Sequence, residues 1–335
     1  MPYVANECII NNFSRVFVED STILKLPDCV AAHFPGQTSK RGMRYAQIKI
    51  QASFDLKKSS YQSFQLQPYL ENDYQFSKYC LTYLKPKDLI IRDLGYFLLD
   101  AFKKIDKHGA FYISKLKSQL KVSDNCLQPV ELLKYLKKHK SVVDKVVHIG
   151  RNKDLKVRLV ARRIPKKIAD KRRANLKIKI KRGKGYSPSE NLLKLQSWEI
   201  YITNISSKVL SIQQIADIYK LRWKIETIFK CWKSNFKFNV YPYRASRSQV
   251  LAIIYGRLIF SMFANSILLK CEAAESNNHI SIQKASKIIV EIFQQTFNDR
   301  IELVVMQNIL NYYGTYEKRK RKTFRQLYDR NKMIL

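Results

Sequence analysis

The stretch RVFVEDSTILKL, residues 15–26, places two acidic side chains inside a run of valine, phenylalanine, isoleucine and leucine. β-Branched and aromatic residues at this density predict a strand. Successive side chains of a strand point to opposite faces, so only one of Glu19 and Asp20 can line a given site. A carboxylate in an apolar strand is disfavoured unless something compensates it. Asp20 therefore caps a turn, points to water or belongs to a functional site.

This strand pattern is the first of several in the N-terminal third of the chain. The predicted elements are strands at 15–26, 44–56, 60–70, 88–97 and 110–117, and helices at 76–85 and 98–109. The segment KKSS (57–60) reads as a hairpin turn, and Gly109 as a helix-terminating glycine. Meandering strands followed by strand–helix–strand units predict an α/β fold, with a mixed sheet and flanking helices.

Composition points to a polyanionic partner. The chain has 335 residues and a hydrophobic fraction of 46%, enough for a substantial core. It carries 62 Lys and Arg against 27 Asp and Glu, a formal net charge of +35. Such an excess repels itself, and a polyanion would offset that repulsion. The 20 tyrosines and 17 phenylalanines interleave with the basic residues, which favours DNA or RNA over an anionic membrane surface.

The spacing of the cysteine and histidine residues argues against a fold held together by a structural metal ion or by disulfide bonds. The six cysteines form no CxxC pair and the five histidines form no HExxH pattern, so we expect no structural zinc site. A long basic chain without a signal-peptide pattern also argues against a disulfide framework. We therefore expect a reducing, cytoplasmic compartment.

One segment has the length of a membrane span. It is VLAIIYGRLIFSMFANSILL, residues 250–269. Arg257 and Asn265 argue against a span, because polar and charged groups are costly in lipid. We predict a helix largely buried in the protein core and no membrane partner.

The middle of the chain, about 118–205, is rich in charge and contains short strand patterns. Between residues 162 and 184 there are twelve Lys or Arg and one acid. Within it LKIKIKRGKGY (176–186) alternates apolar and basic residues, which predicts an edge strand or basic ribbon. The alternative is a solvated, partly disordered loop. We interpret the whole region as a mostly β insertion facing nucleic acid.

From about residue 209 the apolar spacing becomes helical. The segment 210–236 predicts one helix with Ser211 as N-cap, and further helices are predicted at 246–271, 280–295 and 300–313. The chain ends in the basic segment EKRKRKTFRQLYDRNK, 317–332. This segment is either a floppy tail or a phosphate-binding arm.

The helix predicted at 210–236 carries one glutamate among cations. Tyr219, Arg222, Glu226, Lys230 and Lys233 would share one face, within roughly 80° at 3.6 residues per turn. Taken alone, this pattern describes a surface ion-pair ladder. Apolar residues occupy the other faces of this helix, so we expect its polar face to line a groove.

A second acid ends another strand pattern. Asp93 comes just after the apolar run Leu89–Ile91 and before Leu94-Gly95, so it lies at a strand's carboxyl end, where open α/β sheets bind ligands. Its alternative is an Asx turn, and Asp88 is a weaker candidate. Asp20, Asp93 and Glu226 together could hold two Mg²⁺ ions, which prefer oxygen ligands. Two such ions can clamp the attacking and leaving oxygens of phosphoryl transfer, with the neighbouring cations on DNA phosphates.

Three motifs give the chain a family resemblance. Tyr219, Arg222, Glu226 and Lys233 have the spacing Y-(2)-R-(3)-E-(6)-K, VEDSTILKLP (18–27) contains Asp20, and IIRDLGYF (90–97) contains Asp93. In this order they resemble the DDE transposases of the insertion-sequence-four family, which includes the transposon-five enzyme. The resemblance implies an RNase H-like core, divided as 1–117 and 206–271. A β-rich basic insertion at 118–205 and a helical C-terminal region at 272–335 complete the expected domains.

The resemblance also implies an activity. Its members cut and paste DNA with two Mg²⁺ ions, or Mn²⁺ in their place, held by Asp20, Asp93 and Glu226. The expected partners are double-stranded DNA, as transposon ends and target, and a second copy in a synaptic homodimer at the bacterial nucleoid. Lys230 joins Tyr219, Arg222 and Lys233 as an expected DNA contact. Trp198 would stack on a flipped base, or is a core tryptophan.

One departure from the family concerns end recognition. Members usually carry an end-reading domain before the first aspartate, whereas Asp20 comes almost at once here. The expectation is a shortened copy, or recognition located elsewhere. The alternatives are a related nuclease or resolvase without strand transfer, and a truncated, transposition-defective relative that only binds or nicks DNA.

Overall fold

The computed structural model describes residues 9–38, 42–139, 141–274, 280–296, 308–310 and 313–314. Its strands are β1 Val16–Lys25, β2 Pro35–Thr38, β3 Arg44–Asp55, β4 Ser60–Pro68, β5 Leu89–Arg92, β6 Phe111–Lys115, β7 Val122–Ser123, β8 Pro129–Val130, β9 Val142–Ile149, β10 Leu155–Arg163 and β11 Trp198–Thr203. Its helices are α1 Asp73–Phe76, α2 Leu99–Lys107, α3 Leu132–Lys138, α4 Lys166–Lys184, α5 Glu190–Leu195, α6 Ile212–Lys220, α7 Trp223–Ser234, α8 Arg247–Ala274 and α9 Ile282–Thr296.

The chain divides into two compact units. Among the described residues, the first unit comprises those within 9–14 and 74–220, and the second those within 15–73 and 221–314. Each unit is built from segments that are distant in sequence. The predicted division into segments 1–117, 118–205, 206–271 and 272–335 follows other boundaries and stays a prediction.

The second unit is an antiparallel sheet with helices packed on it. β3 pairs with β1 along one edge and with β2 and β4 along the other. α7 packs against β1 and α9, and α8 packs against β4 and α9. The buried Trp232 anchors this packing: its ring stacks on Phe238 at 4.9 Å, and its indole N–H donates to Ser261 Oγ at 2.7 Å.

The first unit holds a mixed sheet in the order β5-β6-β11-β10-β9-β7-β8. β5 and β6 are parallel, and the other neighbours are antiparallel. Helix α2 joins the two parallel strands and packs against β6, as a crossover connection requires. Gly109, at a φ of +71° just beyond α2, allows the sharp return into β6.

The predicted fold class is confirmed. Both units combine sheet and helix, and most of the described residues beyond 246 are helical. The strands predicted at 15–26, 44–56, 60–70, 88–97 and 110–117 correspond to β1, β3, β4, β5 and β6. The helix predicted at 76–85 was wrong, because the segment forms only the end of α1 and a 3-10 turn at Tyr79–Thr82.

The ribbon predicted at 176–186 was also wrong. These residues belong mainly to α4, which starts after Pro165 and ends at Gly185 with a φ of +74°. Lysine, arginine, leucine and alanine all have high helix propensity. Ala169 is buried, whereas most of the lysines are exposed. Local propensity and one anchored face therefore outweigh the short alternation of isoleucine and lysine.

The single helix predicted at 210–236 is two helices. α6 ends at Lys220 and α7 begins at Trp223, with Leu221 and Arg222 forming a turn between them. The five polar residues predicted to share one helical face are therefore divided, with Tyr219 on α6 and the others on or next to α7.

The burial predicted for residues 250–269 needs correction. Only 33% of the most apolar window of this helix is buried, and Tyr255, Ile259, Met262 and Phe263 are exposed. By length and composition alone, Arg247–Lys270 is the one helix in the described ranges that could cross a membrane. The two polar residues that argued against a span make protein contacts. Arg257 lies 5.3 Å from the Tyr241 ring, and Asn265 donates to the Ser59 carbonyl at 2.6 Å.

Two predictions lie largely outside the described residues. Of the helix predicted at 300–313, the structure describes 308–310, which are helical, and 313. The basic segment 317–332 lies entirely outside them.

Candidate functional site

One arginine joins two of the predicted carboxylates in the second unit. Arg222 Nη1 donates to Asp20 Oδ2 at 2.9 Å, and Arg222 Nη2 donates to Glu226 Oε1 at 2.5 Å. The two acids are 206 positions apart in sequence. All three side chains are partly exposed, with Arg222 at 14%. Two negative charges and one positive charge therefore meet at a site open to solvent.

Strand β1 positions Asp20. Its register with β3 pairs Asp20 with Ala52 and Glu19 with Ser53. Glu19 is fully buried, whereas Asp20 is partly exposed, as the alternation of strand side chains predicted. Asp20 Oδ1 also accepts the Ser21 backbone N–H at 2.8 Å, which leaves Oδ2 aimed at Arg222.

Helix α7 positions Glu226. Packing of Ile225, Ile228 and Phe229, all buried, fixes the rotation of the helix. Arg222, at the N-cap, lies four residues before Glu226, the spacing at which helix side chains meet. The sequence predicted this contact as an ion pair. It did not predict that the same guanidinium also binds Asp20.

The predicted DNA-contacting lysines of α7 are both exposed. Lys230 Nζ lies 5.2 Å from the ring centre of Trp223, which is itself 58% exposed. Partial desolvation by neighbouring protein atoms lowers the pKa of the Lys233 ammonium from its ordinary value. The sequence places Trp223 among the aromatic residues near Glu226 but does not predict that its ring is exposed.

Tyr219 is described in the first unit. It is 5% exposed, its ring lies 5.0 Å from that of Tyr201, and Lys115 Nζ lies 5.4 Å from its ring centre. The motif that contains Tyr219, Arg222, Glu226 and Lys233 thus spans the junction between two helices. Its tyrosine is a packed residue in this structure.

Asp93 also belongs to the first unit. It directly follows β5, as predicted, and is partly exposed. It occupies the N-cap position of a short 3-10 turn, but its side chain makes no capping hydrogen bond, which counts against the Asx-turn alternative. Asp88 is fully buried and its Oδ2 accepts the Lys85 backbone N–H at 2.7 Å, so it closes a turn at the start of the strand.

Trp198 begins β11 and is 6% exposed. It lines a cavity of about 340 Å³ together with Lys137, Ser141 and Arg163. The ring is therefore largely a core group, and two cations, Lys137 and Arg163, line the cavity next to it.

The donor atoms suit a hard divalent cation. Asp20 and Glu226 present carboxylate oxygens to a common cationic group, and such oxygens are the ligands that Mg²⁺ and Mn²⁺ prefer. Within the described ranges, no three His, Cys, Asp or Glu side chains gather as a metal site. The three-carboxylate set with Asp93 accordingly stays a prediction.

The family model and the similar proteins indicate the same protein family. The Transposase DDE domain family matches residues 11–261. Similar relatives include the transposase for insertion sequence element IS231B of Bacillus thuringiensis subsp. berliner, 32% identical over 281 residues, which are 78% of this chain and 58% of the relative. The transposase for insertion sequence element IS1151 of Clostridium perfringens is 30% identical over 342 residues, covering 93% of this chain and 72% of the relative.

A solved structure gives a more distant likeness. It is the cryo-EM structure of the piggyBac transposase synaptic complex with hairpin DNA, with a TM-score of 0.44 and 10% identity. The match covers 93% of this chain and 59% of that chain. The chain spans 58% of the length of the IS231B relative.

Proposed function

The chain belongs to the Transposase DDE domain family, and from this membership we propose that it is a DNA transposase. It would cleave DNA at the ends of a mobile element and join the freed strand to a target by metal-dependent phosphoryl transfer. One observation carries the proposal: Asp20 and Glu226, from distant parts of the sequence, converge on one cation at a partly exposed site.

Asp20, Asp93 and Glu226 are the proposed metal ligands. Divalent ions are general among transposases of this class, and two Mg²⁺ ions, or Mn²⁺ in their place, are the proposed occupants. Bound there, the ions would supply Lewis-acid stabilisation of the charge that develops on phosphate oxygens. Arg222 holds Asp20 and Glu226 close together, which otherwise repel each other as like charges.

The cations around the carboxylates are the proposed DNA contacts. Lys230 and Lys233 are exposed on the helix that carries Glu226, where ammonium groups can pair with phosphates. Arg222 joins them. Tyr219 and Trp198 are buried in this structure, so a direct DNA contact by either ring requires local rearrangement. Double-stranded DNA in the cytoplasm is the proposed partner, and a second copy of the chain is proposed to complete a synaptic dimer.

The decisive experiment removes the charge of Glu226. The Glu226→Gln variant should lose Mg²⁺-dependent cleavage of duplex DNA that carries the repeats flanking the gene, while DNA binding persists. Glu291→Gln is the matched control, because Glu291 is an exposed helical glutamate of the same unit. Cleavage by Glu226→Gln at the rate of the control would refute the catalytic role of Glu226.

The same assay tests the narrower alternative. Product analysis distinguishes cleavage alone from joining of a 3′ end to a second duplex. Cleavage without joining would identify the chain as a nicking relative. Binding without either reaction, in the presence of Mg²⁺ or Mn²⁺, would identify a transposition-defective relative.

A further inference from the structure

Helix α4 has an unusual composition. Ten of its 19 residues are Lys or Arg, and Asp170 is its one acid. No acidic residue lies in the first turn, where a negative charge would favour the helix dipole. Like charges four residues apart, such as Lys167 with Lys171 and Lys177 with Lys181, destabilise a helix. The charge pattern of α4 therefore destabilises the helix that these residues form.

One face of α4 is tied to the first unit. Ala169 is 2% exposed. Arg172 Nη2 donates to Glu199 Oε1 at 2.8 Å, and Arg173 Nη1 donates to Ser197 Oγ at 2.8 Å. Glu199 also binds Arg162, and its two arginine partners lower the pKa of its carboxyl even though burial alone would raise it. The helix is thus held in a defined orientation.

The remaining faces are cationic and exposed. Their exposed cations are Lys166, Lys167, Lys171, Lys177, Lys179, Lys181 and Arg182. Only two large apolar side chains of α4, Ile168 and Ile178, are exposed. Two are too few for the apolar face of a membrane-bound helix. The helix contains no aromatic residue on which unpaired bases could stack. A phosphate backbone is the polyanion that this surface fits.

The length of the helix favours a duplex. Nineteen residues rise about 28 Å at 1.5 Å per residue, comparable to roughly 8 base pairs. Exposed lysines along a helix of this length can contact several phosphates without reading sequence.

We propose that α4 docks duplex DNA through its phosphate backbone, with residues other than those of the carboxylate site. α4 lies in the first unit, whereas Asp20 and Glu226 lie in the second. The proposal rests on the proposed function for the identity of the polyanion, and it adds a second contact that is independent of catalysis.

The test compares two charge-matched variants of the full chain. In the first, Lys167, Lys171, Lys177 and Lys181 are all changed to Gln, a residue of similar helix propensity. In the second, four exposed lysines of other elements of the first unit, Lys107, Lys138, Lys145 and Lys156, are changed to Gln. Fluorescence anisotropy with a labelled duplex, measured in EDTA over a series of KCl concentrations, gives the salt slope of binding for each protein.

The α4 variant, which loses four lysines, should lose about 3.6 in the magnitude of the slope of log K against log salt, because each lost phosphate contact removes about 0.9. The control variant should lose less than about 1. Equal losses of slope in the two variants would show that net charge alone sets the salt dependence, and would overturn the proposal. An unchanged slope in the α4 variant would also overturn it. If the full chain bound duplex RNA more tightly than duplex DNA, and the α4 variant lost this preference, the proposal would also be overturned.

Two further measurements distinguish a loss of DNA contact from a loss of folding. A double variant, Lys171→Gln with Lys177→Gln, should lose about half as much slope and guards against misfolding of the fourfold variant. Circular dichroism and thermal unfolding check that each variant is folded. Failure of the proposed function would appear as absent cleavage by the wild-type chain, whereas failure of the α4 proposal would appear only in the salt slopes.

Discussion

At the scale of single residues, Arg222 is the group on which the candidate site depends. The sequence pattern predicts that it contacts Glu226 and DNA phosphate. The structure adds a bond to Asp20, so that one guanidinium offsets two carboxylates. A cation between two carboxylates occupies the electrostatic role that a bound divalent ion would have. Arg222 and a metal ion should therefore compete for the same two acids.

This competition predicts the behaviour of Arg222→Ala. Without metal, the variant should lose about 1–2 kcal/mol of stability, because Asp20 and Glu226 lose their charge-assisted hydrogen bonds in a partly exposed site. Mn²⁺ should then raise the midpoint of thermal unfolding more in the variant than in the wild-type chain. The control is the double variant Asp20→Asn with Arg222→Ala, which should lose the extra gain. Equal Mn²⁺-induced shifts in wild type and Arg222→Ala would contradict the competition.

Lys233 gives a prediction about pH. Desolvation lowers the pKa of this ammonium, so its charged fraction falls as the pH rises through that lowered value. DNA affinity that depends on Lys233 should then decline at a lower pH than an ordinary lysine would cause. Lys233→Arg should keep its affinity further into the alkaline range, since a guanidinium stays charged. Lys233→Gln should bind more weakly below that pKa, where the wild-type lysine is charged, and similarly to wild type above it. Identical alkaline profiles for wild type and Lys233→Arg would remove Lys233 from the DNA contact.

At the scale of elements, sequence patterns succeeded where local and tertiary preferences agree. β1 and β3 contain β-branched and aromatic residues and pair along their length, so strand-forming residues located both. α4 was mistaken for a ribbon because LKIKIK alternates over a few residues, whereas its anchoring to Glu199 and Ser197 is a tertiary contact. The break at Leu221–Arg222 is likewise invisible in a continuous helical pattern, because a turn between two packed helices preserves the apolar spacing.

The site was predicted in part for the same reason. The acids Asp20 and Glu226 follow from motif and spacing, and the structure brings both onto Arg222. The burial of Tyr219 and the exposure of Trp223 do not follow from motif. Both depend on where α6 ends and α7 begins, which is decided by packing against other elements.

The packing of α7 predicts a contrast between its two tryptophans. Trp232 is fully buried and hydrogen-bonded to Ser261, whose hydroxyl also lies 2.8 Å from the Tyr61 hydroxyl. Burial raises the pKa of Tyr61 to about 12, so this phenol stays protonated through the neutral range. Trp232→Phe should cost about 1–3 kcal/mol, because Ser261 loses its donor and the smaller ring leaves space.

Trp223→Phe is the matched control for this prediction. Trp223 is 58% exposed, so its replacement should change stability by no more than about 0.5 kcal/mol. The measurement is the midpoint of thermal unfolding of the two variants under the same conditions. A loss of stability in Trp223→Phe as large as in Trp232→Phe would show that burial does not decide the contrast.

At the scale of the whole molecule, the net charge of +35 exceeds what the candidate site itself uses. α7 and its N-cap carry four cations, Arg222, Lys224, Lys230 and Lys233, and α4 carries ten more on the first unit. A charge excess spread over both units favours contact with a long polyanion along more than one surface. Binding strength and end recognition are then separate properties, since phosphate contacts carry no sequence information.

This separation predicts that the chain binds unrelated duplexes with similar affinity. At low salt, a duplex with the flanking repeats and a shuffled duplex of the same length should differ by less than about tenfold, because phosphate contacts dominate non-specific binding. Both affinities should fall steeply and in parallel as salt rises. Anisotropy titrations over several KCl concentrations measure this, with unlabelled shuffled duplex as competitor. A flat salt dependence would contradict the electrostatic account. A large preference for the repeat sequence that persists as salt rises would show that this chain reads the ends through contacts to the bases.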